Sequence, residues 1–221
     1  LTEEAISPSE ARRAYWNAVY AGDVPTEFSW YQEIPESLEL IEATGLEKNA
    51  RIIDVGGGAS TLVDHLLAKG FTDVTVLDIS EKGLDHAKAR LEGESDRVNW
   101  IVADATQWTP DGNYDLWHDH AMFHFLMDLE EQQAYMDALR DAVPLDGFVV
   151  LSGFSLEGPR RSDGLAVVRR DPDRFGIALK DDFVLKFQID KDHVTPTGTV
   201  QNIAYSLFKR IYRLRGAATA Q

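Results

Sequence analysis

The sequence predicts an α/β protein whose mainly parallel sheet is covered by helices on both faces, a three-layer α/β/α sandwich. Three observations predict it. A short β-branched strand, Arg51-Ile-Ile-Asp54, runs through Val55 into three consecutive glycines, Gly56, Gly57 and Gly58, and a helical pattern follows at once. About 20 residues past Gly58 a second apolar run, Val74-Thr-Val-Leu77, ends in Asp78, the spacing at which a βαβ unit offers a carboxylate to a ribose. Strand-like and helix-like segments then go on alternating as far as Ser152.

Each element has a local cause. Ser7-Pro8-Ser9-Glu10 has the form of a capping box with proline at the first helical position, which predicts a helix from Pro8 to about Tyr20. A second helix is expected from Pro35-Glu36 to just before Gly45. The helix after the glycine loop buries Leu62, Val63, Leu66 and Leu67 and ends at Gly70. A helix over Glu81–Leu91 precedes a strand over Val98–Val102, and a strand over Tyr114–Trp117 leads to a helix around Glu130–Ala142. Asp146-Gly147 then turns the chain into a strand over Phe148–Ser152.

The last third changes character. Asp182–Asp190 and Val200–Lys209 are β-rich runs that flank Pro196-Thr-Gly198, the form of a long hairpin. Between Ser155 and Lys180 lies a polar, arginine-rich connection containing Gly158-Pro159-Arg160-Arg161. It leaves the carboxyl end of a strand, beside the crevice where parallel sheets bind ligands, so a substrate-side loop is expected. One domain, residues 1–221, is expected, with a helical cap (1–48), a nucleoside-binding core (49–154), the loop (155–181) and the hairpin (182–215).

Bulk properties bound the alternatives. With 221 residues, 44% of them apolar and 10% aromatic, the chain suits one globular unit with a sizeable core. No apolar run reaches the roughly 18 residues of a membrane helix, and no signal segment opens the chain, so a cytoplasmic protein without a membrane partner is expected. The lack of cysteine excludes disulfides, thiolate zinc sites and cysteine nucleophiles. The net charge of −15 repels phosphate backbones, so no nucleic-acid partner is expected unless a local basic patch exists. Candidates for such a patch are Arg160, Arg161, Arg169 and Arg170, then Lys209, Arg210, Arg213 and Arg215. A monomer or homodimer is expected.

Charge decides which nucleoside fits. From Gly56 a dinucleotide fingerprint, G-x-G-x-x-G, fails at Thr61, and no lysine follows the glycines as a phosphate-cradling loop requires. Asp54 would stand near a bound pyrophosphate, where two like charges ~4 Å apart cost on the order of 4 kcal/mol at an effective dielectric of 20. A cationic ligand reverses that sign. S-adenosylmethionine offers a ribose to Asp78, an ammonium to the Asp54 region and a sulfonium instead of phosphates, which argues for the methyl donor against NAD or ATP.

Asp54-Val-Gly56-Gly57-Gly58-Ala-Ser60 resembles the first motif of class I S-adenosylmethionine-dependent methyltransferases, D/E-x-G-x-G-x-G, with Ser60 in place of the last glycine. Val76-Leu-Asp78-Ile79-Ser resembles the second motif. Val102-Ala-Asp104-Ala105-Thr106 resembles the third, whose acid and following backbone amide read the adenine edge. Tyr114-Asp-Leu-Trp117-His118-Asp119 is similar to the fourth strand and the start of the segment after it. The resemblance covers roughly residues 12–210. It implies a Rossmann-like, mostly parallel seven-stranded sheet with an antiparallel C-terminal hairpin strand. It also implies S-adenosyl-L-methionine as cofactor and S-adenosyl-L-homocysteine as product.

Toward the amino terminus, Trp16 and Tyr20, then Phe28-Ser-Trp30-Tyr31, are similar to the W-x-x-x-Y and F-x-W-Y elements of the elongation-factor lysine methyltransferase group and uncharacterised bacterial relatives. Those aromatics pack over the donor in that group, although the spacing of Trp16 and Tyr20 suits plain helix packing equally. Donor contacts are thus implied for the motif residues Asp54, Gly56, Gly57, Gly58, Ser60, Asp78, Ile79, Asp104, Ala105 and Thr106, and for Tyr20, Trp30 and His118.

The resemblance places the chemistry after the fourth strand, in His118-Asp119-His120-Ala-Met-Phe123-His124-Phe125. Methyl transfer mainly needs the reacting atoms held in line. A base helps where the nucleophile keeps its proton, and histidine suits that task near neutral pH. His120, His124 and Asp119 are the candidate catalytic residues. His120 and His124 are expected on one helical face at i, i+4, one acting as base or substrate hydrogen-bond donor, with a packing role as the alternative. No metal is expected: a continued strand is expected to point His118 away from His120, and no cysteine assists.

The N/D-P-P-Y/F motif of base and glutamine-amide methyltransferases is missing, since no proline lies between Pro110 and Pro144. Lysine methyltransferases of the elongation-factor group carry D-K-G-T-L-D after the fourth strand, and only Asp119 is shared. The expected function is methyl transfer to a small-molecule nucleophile. A protein lysine methyltransferase and a module that binds donor or product without turnover are the alternatives.

Overall fold

The computed structural model describes residues 6–22, 24–169, 179 and 182–211. The chain opens with helix α1 (Pro8–Gly22). Its capping box forms as read: Glu10 N–H donates to Ser7 Oγ at 3.2 Å, and Ser7 N–H donates to Glu10 Oε2 at 2.8 Å. A single turn over Pro25–Glu27 and the short helix α2 (Leu38–Ala43) follow. Residues 35–37 are a turn rather than the first helical turn, with Leu38 N–H donating to the Pro35 carbonyl.

Strand β1 (Arg51–Val55), helix α3 (Leu62–Ala68), strand β2 (Asp73–Asp78), helix α4 (Glu81–Arg90) and strand β3 (Val98–Val102) make two consecutive βαβ units. Strand β4 (Leu116–His120), helix α5 (Leu129–Ala142) and strand β5 (Phe148–Phe154) add a third. A small hairpin, β6 (Arg161–Ser162) and β7 (Leu165–Ala166), precedes the long strands β8 (Phe183–Val194) and β9 (Val200–Arg210). The seven-stranded sheet has the order β3-β2-β1-β4-β5-β9-β8. Its first five strands are parallel, and β9 is antiparallel to both β5 and β8, the Rossmann-like arrangement expected.

Two apolar layers hold the sheet. Ile52, Val76, Leu116 and Val150 face Ile41 of α2, Leu62 and Leu66 of α3 and Leu84 of α4. On the other side Ile53, Leu77, Trp117 and Leu151 face Tyr135, Leu139 and Ala142 of α5. Each such aliphatic side chain contributes about 1.5–3 kcal/mol on burial. The centre of the sheet is covered on both faces, which is why β1 reads as a near-continuous apolar run.

β4 spans Leu116–His120 rather than Tyr114–Trp117. The Tyr114 N–H donates to the Ala142 carbonyl, outside the ladder, so pairing with β1 begins with Leu116 opposite Ile52 and brings His118 opposite Asp54. His118, Asp119 and His120 are therefore strand residues, and side chains two apart share a face. His118 and His120 lie on the same face and Asp119 on the other, which overturns the expectation that the two histidines diverge. Nor do His120 and His124 share a helical face: Ala121 adopts φ +65° and Phe123–Phe125 form a lone 3-10 turn. Arg170, Lys180, Arg213 and Arg215 lie outside the described residues, as does most of the second half of the 155–181 connection.

Candidate active site

The carboxyl ends of β1, β2, β4 and β5 open onto a cleft of about 910 Å³, its mouth included. The loop after β1 forms its floor. Gly56 and Gly58 adopt φ +73° and +45°, which a side chain disfavours. A Cβ on Gly57 would stand 2.6 Å from both Asp54 Oδ2 and Val76 Cγ1. On Gly56 it would strike the Met122 side chain, and on Gly58 the Tyr20 hydroxyl. The glycines thus make room for the protein's own side chains folded over the loop.

Three acids stand at one end of the cleft and in the cavity that adjoins it. At the end of β1, Asp54 Oδ1 accepts from His118 Nδ1–H at 2.7 Å, while Ser37 O–H lies 2.8 Å from His118 Nε2. Asp54 Oδ2 is buried and finds no hydrogen-bond partner among the described residues. At the end of β2, Asp78 accepts from Ser80 N–H at 2.7 Å, and burial pushes its carboxyl up to about 7. After β3, Asp104 Oδ1 accepts from Thr106 N–H at 3.0 Å and from the Thr106 hydroxyl at 2.7 Å. Burial opposes its ionisation, but these bonds, Ser9 and the Arg12 charge together hold it below the usual carboxylate range. Its Oδ2 lies 3.3 Å from Arg12 Nη2 without a hydrogen bond, and Arg12 also grips Glu131 at 2.7 and 3.1 Å.

The other end is apolar. Trp16, Phe125, Phe154 and Ile203 form its walls, with Met122, His120 and His124. His120 Nδ1 lies 2.7 Å from Ser152 Oγ, and its ring stacks on Tyr205 at 5.8 Å. The His124 ring packs against Phe125 and Phe154, and both its nitrogens and His120 Nε2 find no hydrogen-bond partner among the described residues. Burial lowers both histidines to about 3, so they are neutral near pH 7.

Tyr20, Trp30, Gly56, Asp78, Ile79, Asp104, Ala105, His120 and His124 meet in this cleft. Asp54, Gly57, Ser60 and His118 line a smaller adjoining cavity under Trp30. Thr106 acts on Asp104 instead of lining the cleft. Asp119 requires a correction: it points away, accepting from Met122 N–H at 2.8 Å, Phe123 N–H at 3.0 Å and Tyr135 O–H at 2.7 Å. Fully enclosed, with burial raising its carboxyl to about 6, it shapes the turn that presents Met122 and His124. Sequence reasoning missed Arg12, Ser37, Met122, Ser152 and Phe154. Only Met122 lies within a segment that the motifs singled out.

Among the described residues no group of three or more histidines and acids is arranged to hold a metal, and no helix is long and apolar enough to cross a membrane. An adenosyl sulfonium compound fits the residues present: the buried Asp54 Oδ2, which has no hydrogen-bond partner among the described residues, the buried Asp78 and the Arg12-paired Asp104 stand beside the glycine loop.

A sheet of this order, with an acid and glycines after β1 and further acids after β2 and β3, defines the class I S-adenosylmethionine-dependent methyltransferase fold. Residues 52–147 match the methyltransferase domain family. The chain is 30% identical over 125 residues to malonyl-[acyl-carrier protein] O-methyltransferase 1 of Ilyobacter polytropus, covering 56% of this chain and 44% of that protein. It is 24% identical over 119 residues to the eEF1A lysine and N-terminal methyltransferase of Mus musculus, 53% of this chain and 17% of that one. The chain thus spans less than half of either curated relative. The 1,6-didemethyltoxoflavin-N1-methyltransferase of Burkholderia thailandensis, solved with 1,6-didemethyltoxoflavin and S-adenosylhomocysteine, superposes with a TM-score of 0.66. The two are 15% identical, and the superposition covers 96% of this chain and 94% of that one.

Proposed function

We propose that the protein transfers a methyl group from S-adenosylmethionine to an uncharged small-molecule nucleophile. The carrying observation is the distribution of charge in the cleft. Among the described residues Arg12, Asp78 and Asp104 are the charged ones lining it, whereas Trp16, Phe125, Phe154 and Ile203 with two neutral histidines line the acceptor end. A lysine ammonium entering that end would shed water with no carboxylate to receive it among the described residues, at a cost of several kcal/mol. The roof favours a small acceptor too. α1 meets the β6–β7 hairpin through Tyr15 O–H and the Asp163 carbonyl, and Val168 N–H donates to the His124 carbonyl at 2.8 Å.

In this reading Asp78 receives the ribose, Ile79, Asp104 and Ala105 the adenine, and Asp54 with the glycine loop the amino-acid end. S-adenosylmethionine, when bound, supplies a methyl carbon made electrophilic by its sulfonium. Tyr20 and Trp30 exclude water from the donor, and Met122 and the aromatic walls orient the acceptor. The Burkholderia neighbour, crystallised with a small molecule beside the spent donor, supports the reading at the level of fold.

The test is to titrate S-adenosylmethionine and S-adenosylhomocysteine by calorimetry, then incubate methyl-labelled donor with lysate fractions split at a small-molecule cutoff. Both ligands should bind, and label should appear below the cutoff. Label confined to large species would overturn the small-molecule acceptor, and tight binding without any label would identify a non-catalytic module.

A further inference from the structure

Ser152 stands on β5 opposite His120 in the β4–β5 register and is 2% exposed. Its Oγ is 2.7 Å from His120 Nδ1 and 3.3 Å from the Asp119 main-chain carbonyl oxygen. A hydroxyl has one hydrogen, and a carbonyl oxygen only accepts. The arrangement that satisfies both contacts has Oγ donating to Asp119 and accepting from a protonated Nδ1. A neutral imidazole carries one ring proton, so Nε2 is then bare. That nitrogen is buried without a partner among the described residues, on a side chain that lines the cleft beside His124 and Phe154. The groups whose charge reaches the ring are His118 on its own strand, His124 on the next turn and His193 on β8, with the neutral Tyr205 stacked on its face. Each of these histidines, once charged, disfavours a protonated His120, so the ring enters the reaction neutral.

We propose that Ser152 is a positioning residue that holds His120 as its Nδ1–H tautomer and turns the Nε2 lone pair onto the acceptor, so that the site takes neutral compounds bearing a hydroxyl or ring N–H. The chemistry rests on the methyl-transfer reading; the tautomer does not. As the acceptor's lone pair bonds to the methyl carbon, the C–S electron pair stays on sulfur and the acceptor's proton passes to Nε2. The positive charge that leaves sulfur reappears on the imidazolium, and the apolar end keeps its total charge. A bare nitrogen also discriminates: it receives a hydroxyl or N–H hydrogen, and it offers nothing to a group that only accepts.

Nitrogen-15 NMR of the full chain labelled at histidine reads the tautomer directly, with His120 assigned through His120→Gln. In the wild-type protein at neutral pH, with and without S-adenosylhomocysteine, Nδ1 should give a protonated, pyrrole-type signal and Nε2 an unprotonated, pyridine-type one. Ser152→Ala should move the ring toward the opposite tautomer or a mixture, and Ser152→Thr should restore the wild-type pattern. A proton on Nε2 in the wild type, or a spectrum indifferent to Ser152→Ala, overturns the proposal. Calorimetry separates it from the methyltransferase reading: S-adenosylhomocysteine affinity should be the same in Ser152→Ala and wild type. Failure of the wild type to bind it would overturn that reading and, with it, the acceptor chemistry assigned to Nε2.

Discussion

A carboxyl group buried at the end of a strand with its pKa near 7 is a poor anion until a ligand donates to it. Asp78 is in that state, so affinity for S-adenosylhomocysteine should rise as pH increases from about 6 to about 8 and then level off. Asp78→Asn should abolish the slope and weaken binding by about 1.5–3 kcal/mol, the value of a charge-assisted hydrogen bond, which calorimetry across pH will read. The glycine loop makes a second residue-level test. Gly58→Ala forces a Cβ toward the Tyr20 hydroxyl at a positive φ and should destabilise by about 1–3 kcal/mol in denaturant melts. Tyr20→Phe should recover part of that loss, a coupling that independent sites would not show. The acids and glycines were legible in the sequence because their demands are local, an acid at a strand end and a turn at positive φ. Ser152 and Ser37 were not, because their partners are set by strand register and helix docking. Asp119 was misread because β4 runs on past Trp117 to His120, and that extension is fixed by pairing with β5, where Asp119 stands opposite Leu151.

At the level of elements, α1 is held to the rest largely by polar contacts. It buries only Ser9 and Tyr20 well, and its anchors are polar: Arg12 to Glu131 and Asp104, Tyr15 to the Asp163 carbonyl, Asn17 to the Ser80 hydroxyl at 2.7 Å. Trp16 sits among Phe125 and Trp30 at 5.0 and 6.0 Å, so the helix carries part of the cleft wall with it. Elements with few buried apolar contacts open below the global unfolding free energy. Amide exchange in α1 should therefore outpace that in β1 and β5 and slow when S-adenosylhomocysteine binds. Arg12→Gln should weaken that ligand by about 1 kcal/mol while leaving the global melt nearly unchanged. A global melt lowered in step with affinity would show α1 to be part of the core. Its capping box was readable from four adjacent residues, whereas its docking partner Glu131 lies 119 positions away. The alternation of elements was legible for the same reason as the box, and the boundary errors at α2 and β4 fall where a turn or a distant carbonyl takes an amide.

For the molecule as a whole, four buried titratable groups and a strongly acidic surface together set the pH dependence of stability. His120 and His124 have folded values near 3, below the ordinary 6.5, so their contribution is lost as pH falls through that window. Asp119 and Asp78 have folded values near 6 and 7, above the ordinary 3.8, so their contribution is lost as pH rises toward those values. Between about pH 4 and 6 the unfolded chain binds two more protons at the histidines and two fewer at the carboxyls, and the effects nearly cancel. Below that range the histidine loss stands unopposed; above about pH 6.5 only the Asp78 loss remains, over less than one pH unit. The surface adds to the alkaline side, since a net charge of −15 at pH 7 repels itself and is relieved by protonation. Denaturant melts should therefore give a dome with its top near pH 5 to 6. Salt divides the alkaline decline into its two causes, because a Debye length of about 3 Å at 1 M screens exposed charges and leaves buried ones largely untouched. Raising salt should flatten only the surface part of the decline. Asp78→Asn should flatten the remainder, making the variant more stable than wild type at pH 8 although it binds donor less well. His124→Phe should soften the acid limb alone. An alkaline decline that vanishes entirely in salt would show that Asp78 is not held neutral by burial, and the predicted pH slope in donor affinity would fall with it.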